Sequence, residues 1–445
     1  MKKMFKITND ELESIKKEYL QNDIYTIARH ALSNQKISGL SKKMEQTEYT
    51  RNHFSIDIKT LPVADQKQSG RCWIFAGCNV IREKIAKKYQ LDDFELSQNY
   101  ISFYDKLEKC NYFLSSMIAL KDAPKGDRTR DFILQSGIED GGQWDMFVNV
   151  VNKYGLMPKN AFPETPTSSG TNSTNGLINF NIRKFASDAK ALYQKKGIAA
   201  VKKLKADVLK KIFFILTSCY GLVPEKFDFE YTDKDGKYHL ERGFTPLSFK
   251  EKFIGNRLDD FVSVINAPTN DKPFNRLFTV KYLGNVVGGK PVTHLNVSMK
   301  RMKQLIVQQL KDGQITWFGS DVGFYGDRAN GVWDDRLFDT KTAFDLDFKM
   351  DKGQSLDYRA SQMNHAMVIT GVALKNQTPT KWKIENSWGT DAGKNGYYIM
   401  SASWFDQFVY QAVVDKKYLN DEEKKAFEED IIELKPWDPM GSLAD

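Results

Sequence analysis

Cysteine and histidine are scarce in this chain. Its 445 residues hold four cysteines and five histidines, too few thiols for a disulfide framework, and no two cysteines form a CxxC pair. His30, His53, His239 and His294 lack metal-ligand spacing. Asp345-Leu346-Asp347 lacks the Gly and terminal Glu of a cation loop. Neither a metal nor a cofactor is therefore expected. Long apolar runs are missing as well: mean hydropathy is −0.51, and no stretch approaches the length of a membrane span. The first residues start with lysines but lack the apolar run of a secretory signal. The expectation is a cytoplasmic protein in a reducing compartment, where a free thiol is available for chemistry.

What is present excludes disorder. Hydrophobic residues make up 41% and aromatics 13% of the chain, enough to build a core. The length allows one large core with insertions, or two to three domains. A net charge of +8 permits a basic cavity without arguing for nucleic acid.

Helical patterns crowd the first half. Residues 8–48 are polar and helical, with Asn9 or Asp10 as candidate caps. Residues 51–70 look extended. From Cys72, Ile74, Cys78, Ile81 and Ile85 recur on one face of a helix, with Arg82, Lys84, Lys87 and Lys88 on its polar side. Helices follow at 95–120 and at Trp144–Tyr154, the latter stopped by Gly155 and Pro158. The polar turn formers of 163–175 suggest a linker, and 183–220 is a lysine-rich helical block. Strand patterns dominate afterwards: Phe261–Ile265, Leu277–Leu283, then strand, helix (Met299–Leu310) and strand (Ile315–Phe318), followed by Ala366–Val372, Trp382–Glu385 and Gly396–Met400. Asp421–Ile432 is expected to be an acidic helix. The class is α+β.

Three segments carry chemistry. Gln66-Lys67-Gln68-Ser69-Gly70-Arg71-Cys72-Trp73 delivers Cys72 to the first turn of a long helix, where exposed N–H groups and the dipole favour a thiolate. Position alone would favour a small core residue. His365, at the mouth of an apolar strand, supplies a base, and Asn386, leaving another strand, supplies a neutral acceptor. A thiol needs an imidazole to take its proton, and the imidazole needs an acceptor to fix its tautomer. Cys78 belongs to the buried stripe, Cys110 and Cys219 have no partner context, and the lysines of 195–211 suit a solvated helix face.

These segments, Ser69-Gly70-Arg71-Cys72-Trp73, Asn364-His365-Ala366-Met367 and Glu385-Asn386-Ser387-Trp388-Gly389, resemble the active-site blocks of papain-like cysteine peptidases. The branch they resemble is bleomycin hydrolase/aminopeptidase C, with Arg71 where papain itself has Ser and a large insertion between Cys and His. Leu96-Ser97-Gln98, the cleft loop Asp140 to Met146, the hairpin Gly393 to Tyr397 and the ending Pro436 to Gly441 extend the likeness over nearly the whole chain. The resemblance implies a two-lobe papain-like fold with a large helical insertion and arms at both ends. The expected divisions are 1–50 (N-terminal arm), 51–160 (helical lobe with the nucleophile), 161–290 (insertion), 291–415 (β-rich lobe with His and Asn) and 416–445 (C-terminal helix and tail).

Carried onto this sequence, the resemblance implies Cys72 as nucleophile, a thiolate paired with imidazolium His365, and Asn386 orienting that ring. It gives Gln66 and the Cys72 N–H to an oxyanion hole, Trp388 to covering the His–Asn bond, and Gly141 and Gly142 to pairing with substrate backbone. In this branch the tail enters the cleft and its carboxylate meets the substrate's free ammonium, which makes Ala444 and Asp445 substrate-binding residues. Family tails commonly stop near Leu-Ala, whereas this one continues past Leu443-Ala444 to Asp445. The implied activity is a cytosolic aminopeptidase acting on short peptides through a thioester, without a zymogen step and assembled as a homohexamer. An endopeptidase of the same fold and a nucleic-acid-binding protein on an inactive peptidase fold are the alternatives.

Overall fold

Thr8, rather than Asn9 or Asp10, caps the first helix. Its hydroxyl accepts from the Glu11 N–H while the Glu11 carboxylate reaches back to the Thr8 N–H, a reciprocal capping box. The computed structural model describes residues 5–43 and 52–444. From that cap an arm runs through α1 (Asn9–Leu20), α2 (Asp23–Leu32) and α3 (Ile37–Ser41). The expected helical stretch at 44–48 lies outside the described residues.

Helix α4 (Cys72–Tyr89) starts at the cysteine. Ile74, Cys78, Ile81 and Ile85 are all buried, and so is Arg82, expected on the polar face. Its Nη2 donates to Glu385 at 2.8 Å, so a partner distant in sequence takes the place of water. Helices α5 (Gln98–Ala119), α6 (Arg128–Ser136) and α7 (Trp144–Tyr154) complete this lobe. The 163–175 stretch is no linker. Thr165 and Ser168 cap each other across α8 (Pro166–Ser169), and the same small polar residues that suit turns also suit helix caps. Helix α9 (Asn172–Tyr220) follows, bent at Gly197 (φ 72°), and packs along α5. The acidic helix expected over 421–432 covers only Asp421–Lys425, ending in a short 3-10 turn and a strand, Ile432–Leu434.

A twelve-stranded sheet builds the other lobe. Its centre holds β1 (Phe261–Ile265), β2 (Thr316–Ser320), β3 (His365–Lys375), β4 (Thr378–Glu385) and β5 (Val409–Asp415), in the order β1-β5-β2-β3-β4 and antiparallel throughout. Alternate residues face opposite sides. Ala366 and Val368 join the core shared with α4, α5, α7 and α9, whereas Met367 and Ile369 join a second core with Leu305, Trp382 and Phe405. The two-lobe papain-like architecture thus places α4 directly on β3. His365 opens β3 and Asn386 follows the last residue of β4, so both lie at one end of adjacent strands.

Candidate active site

The start of α4 meets the start of β3 at a sulfur. Cys72 Sγ accepts the backbone N–H of Ala366, the residue after His365, at 3.4 Å. Cys72 is 5% exposed and so is His365. Burial pushes the thiol up to about 11, against the backbone N–H groups of Ala366 and Trp73 that favour the thiolate. Burial likewise pushes the His365 ring down to about 4. Burial thus disfavours a lone charge on either group. Ionisation would require one proton to pass from sulfur to ring, so that two opposite charges appear together.

The ring's tautomer can be read from its partner. His365 Nε2 lies 2.9 Å from Asn386 Oδ1, and the same Oδ1 accepts the Ser387 N–H at 2.8 Å. An atom that accepts a backbone N–H is the amide oxygen, so Nε2 donates and Nδ1 is left as the base. Trp388 lies over this bond, its ring centroid 4.8 Å from that of His365. The Arg328 guanidinium lies over the Trp388 ring, 4.7 Å from its centroid.

Gln66 is held with equal definition. Its N–H donates to the Ser387 carbonyl, its Oε1 accepts the Ser387 hydroxyl at 2.6 Å, and its Nε2 donates to the Ser69 carbonyl at 2.6 Å. One amide hydrogen remains free. Lys67 beside it adopts φ 53°, supported by Asp65, whose carboxylate accepts the Lys67 N–H at 2.8 Å.

The two glycines face different neighbours. A Cβ on Gly141 would clash with the Leu443 carbonyl oxygen and lie 3.0 Å from Ala444 Cα, so the tail backbone lies directly against Gly141. A Cβ on Gly142 would strike the Trp73 indole at 2.5 Å, a packing requirement inside the lobe. The tail itself is well secured: Gln143 Nε2 donates to Met440 O at 3.3 Å, and Ser442 Oγ to Met363 O at 2.8 Å. Ala444 is half-buried at its end. Asp445 lies outside the described residues.

Sequence reasoning placed Arg71 and Asp140 in motifs without giving either a role, and it missed Lys106 and Lys109. Arg71, 1% exposed, pairs with Glu164 at 3.0 Å and stacks on Phe75. Asp140 receives the Gly70 N–H at 2.9 Å, the Thr171 hydroxyl, the Asn175 amide and the Lys106 ammonium. Lys109 donates to the carbonyls of Glu139 and Gly141. The hint in the sequence for the two lysines is the charged run Asp105, Lys106, Glu108, Lys109 within helix α5.

Comparison with known proteins places this arrangement. Residues 6–441 match the Peptidase C1-like family. Aminopeptidase C of Lactobacillus delbrueckii subsp. lactis is 45% identical over 98% of both chains. Bleomycin hydrolase of Mus musculus is 38% identical over 86% of both. The crystal structure of PepW from Lactobacillus rhamnosis is 44% identical and superposes with a TM-score of 0.96, covering 98% of this chain and 99% of that one.

Proposed function

The chain belongs to the peptidase C1-like family and is a cysteine aminopeptidase, and on that premise we propose how its residues divide the work. Cys72 Sγ attacks the carbonyl carbon of the substrate's first peptide bond while His365 Nδ1 takes the thiol proton. As the C–N bond breaks, the ring returns that proton to the leaving amine, and the acyl group stays on sulfur as a thioester. Water, deprotonated by the same ring, then releases the amino acid and restores the thiol. The Cys72 N–H and the free amide hydrogen of Gln66 receive the oxyanion in both halves of the reaction. Asn386 holds the ring, and Trp388 keeps water from that bond.

The observation that carries this reading is the shared Asn386 Oδ1, which fixes Nε2 as the donor and leaves Nδ1 as the base on the residue before Ala366, whose N–H meets Cys72 Sγ. The aminopeptidase mode rests on the tail, with Leu443 and Ala444 lying against Gly141 where a longer substrate would continue. Ala444 and Asp445 would then face the substrate's ammonium. We further propose a cytoplasmic homohexamer. The arm supports assembly with further copies: Leu12, Ile15, Leu20, Ile24 and Ile27 are all exposed on α1 and α2, an apolar face without cover. The five divisions of the chain expected from the sequence are retained as part of the same proposal, with Phe261–Ile265 of the 161–290 segment lending a strand to the sheet of the β-rich lobe. The comparisons lend no support to nucleic-acid binding.

An unblocked aminoacyl-arylamide and its N-acylated counterpart provide the test. Rapid release from the first and none from the second is expected, with Cys72→Ala inactive on both. Preference for the acylated substrate would establish the endopeptidase instead, and turnover by Cys72→Ala would remove Cys72 from the mechanism.

A further inference from the structure

Asp140 grips the chain on both sides of Cys72. Its carboxylate accepts the N–H of Gly70, two residues before the cysteine, at 2.9 Å. Its own carbonyl accepts the indole Nε1–H of Trp73, the next residue, at 2.7 Å. The fit is close: a Cβ on Gly70 would lie 2.8 Å from Asp140 Cβ. The other side of Asp140 is tied to α5 and α9. Oδ1 receives Lys106 and Asn175, while Oδ2 receives Thr171 in addition to Gly70. Four donors thus converge on one buried carboxylate, and a neutral amide in its place would turn a second donor towards two of them. Burial disfavours its ionisation, yet Lys106, Thr171 and Asn175 hold the carboxyl well below its usual range. The following residue, Gly141, has its carbonyl on Lys109 and its Cα against the tail.

We propose that Asp140 is a positioning residue that keeps the Gly70–Cys72 backbone, and with it the Cys72 N–H offered to the oxyanion, in register with the Gly141 backbone that borders the substrate. This rests on the assignment of Cys72 above. A purely structural ion pair with Lys106 would need neither the Gly70 N–H nor the Trp73 indole. A donor displaced by about an ångström loses up to ~100-fold in rate, without equal loss of ground-state binding.

Asp140→Asn and Asp140→Asn/Lys106→Met test this, with Cys72→Ala as control. Turnover is expressed per active thiol, titrated with a substrate-like irreversible inhibitor whose reaction at Cys72 requires the folded cleft, so that unfolded molecules do not count. Asp140→Asn should lose about 10- to 100-fold in kcat, with KM changed less than about threefold. The double variant removes the unpaired ammonium and should regain thermal stability while kcat stays low. Iodoacetamide should alkylate Cys72 faster at fixed pH in Asp140→Asn, because the carboxylate opposes the thiolate. A more reactive thiol with slower turnover is the signature of a misplaced oxyanion donor. Full kcat per thiol in Asp140→Asn, or kcat returning together with stability in the double variant, would reduce Asp140 to a structural role. Turnover by Cys72→Ala would instead overturn the assignment on which the inference rests.

Discussion

The Ser387 hydroxyl donates to Gln66 Oε1 at 2.6 Å, across a sequence separation of 321 residues. That bond decides which end of the Gln66 amide carries hydrogen, and Nε2 already spends one hydrogen on Ser69 O. Gln66→Ala should therefore lower kcat by about 100-fold, the usual loss for one oxyanion donor, with KM little altered. Ser387→Ala lets the amide rotate and should cost about tenfold in kcat. Equal kcat in Ser387→Ala and the parent would show that Ser69 alone orients the amide.

Two buried histidines predict the acid limb of stability. Burial lowers His294 to about 4, as it does His365, while its Nδ1 sits 2.7 Å from Ser263 Oγ. Between about pH 6.5 and 4 the unfolded chain binds protons that the folded chain refuses, so stability is present above pH 6.5 and is lost as pH falls towards 4. The loss is on the order of 3 kcal/mol for each ring. Denaturant titrations of His294→Gln should show a flatter decline from pH 6.5 to 4.5 than the parent. A decline of unchanged slope would place the sensitivity elsewhere.

Local pattern exposed the parts of this fold that local physics governs. Apolar periodicity located α4 from Cys72, and Gly155 (φ 85°) ended α7 where expected. The motifs joined Cys72, His365 and Asn386 before any strand order was known, because the chemistry itself demands such a trio. Contacts of long sequence separation escaped. Arg82 looked solvated because Glu385 is 303 residues away. The 163–175 segment looked like a linker because Ser and Thr favour turns and caps alike, and only packing distinguishes them. Asp140 was visible merely as part of a cleft loop, since its four donors come from three separate segments.

The Arg82–Glu385 pair joins α4 to the last residue of β4, just before Asn386, with both side chains fully buried and Asn79 Nδ2 also on Glu385 at 2.8 Å. Removing one member strands the other charge. Arg82→Met should destabilise the protein by about 3–5 kcal/mol near pH 8. Burial already raises the Glu385 carboxyl, so the acid can protonate and shed its charge at lower pH. The deficit measured by urea unfolding should shrink between pH 8 and pH 5. A deficit that does not depend on pH would mean that lost packing of Arg82, rather than the stranded carboxylate, sets the cost.

Before the tail reaches Gly141 it is pinned at Trp437 and Asp438. Arg128 stacks on the Trp437 ring at 3.8 Å, Phe132 meets its edge at 6.2 Å, and Arg359 donates to its carbonyl at 2.9 Å. Asp438 pairs at 2.9 Å with Lys272, only 4% exposed. Stacking of this kind contributes about 0.5–1 kcal/mol when exposed, and the buried lysine adds a partner that water cannot replace. With both anchors gone, Leu443 and Ala444 would leave Gly141 part of the time, and the cleft beyond the first residue would open. Trp437→Ala/Asp438→Ala should gain hydrolysis of N-acylated arylamides at least about tenfold over the parent and lose part of its rate on unblocked ones, since fewer tails stand ready for the ammonium. Deletion of residues 435–445 gives the upper limit of that gain. If the deletion opens the cleft to acylated substrates and the double variant does not, then the bonds from Gln143 to the Met440 carbonyl and from Ser442 to the Met363 carbonyl carry the tail without help from its base.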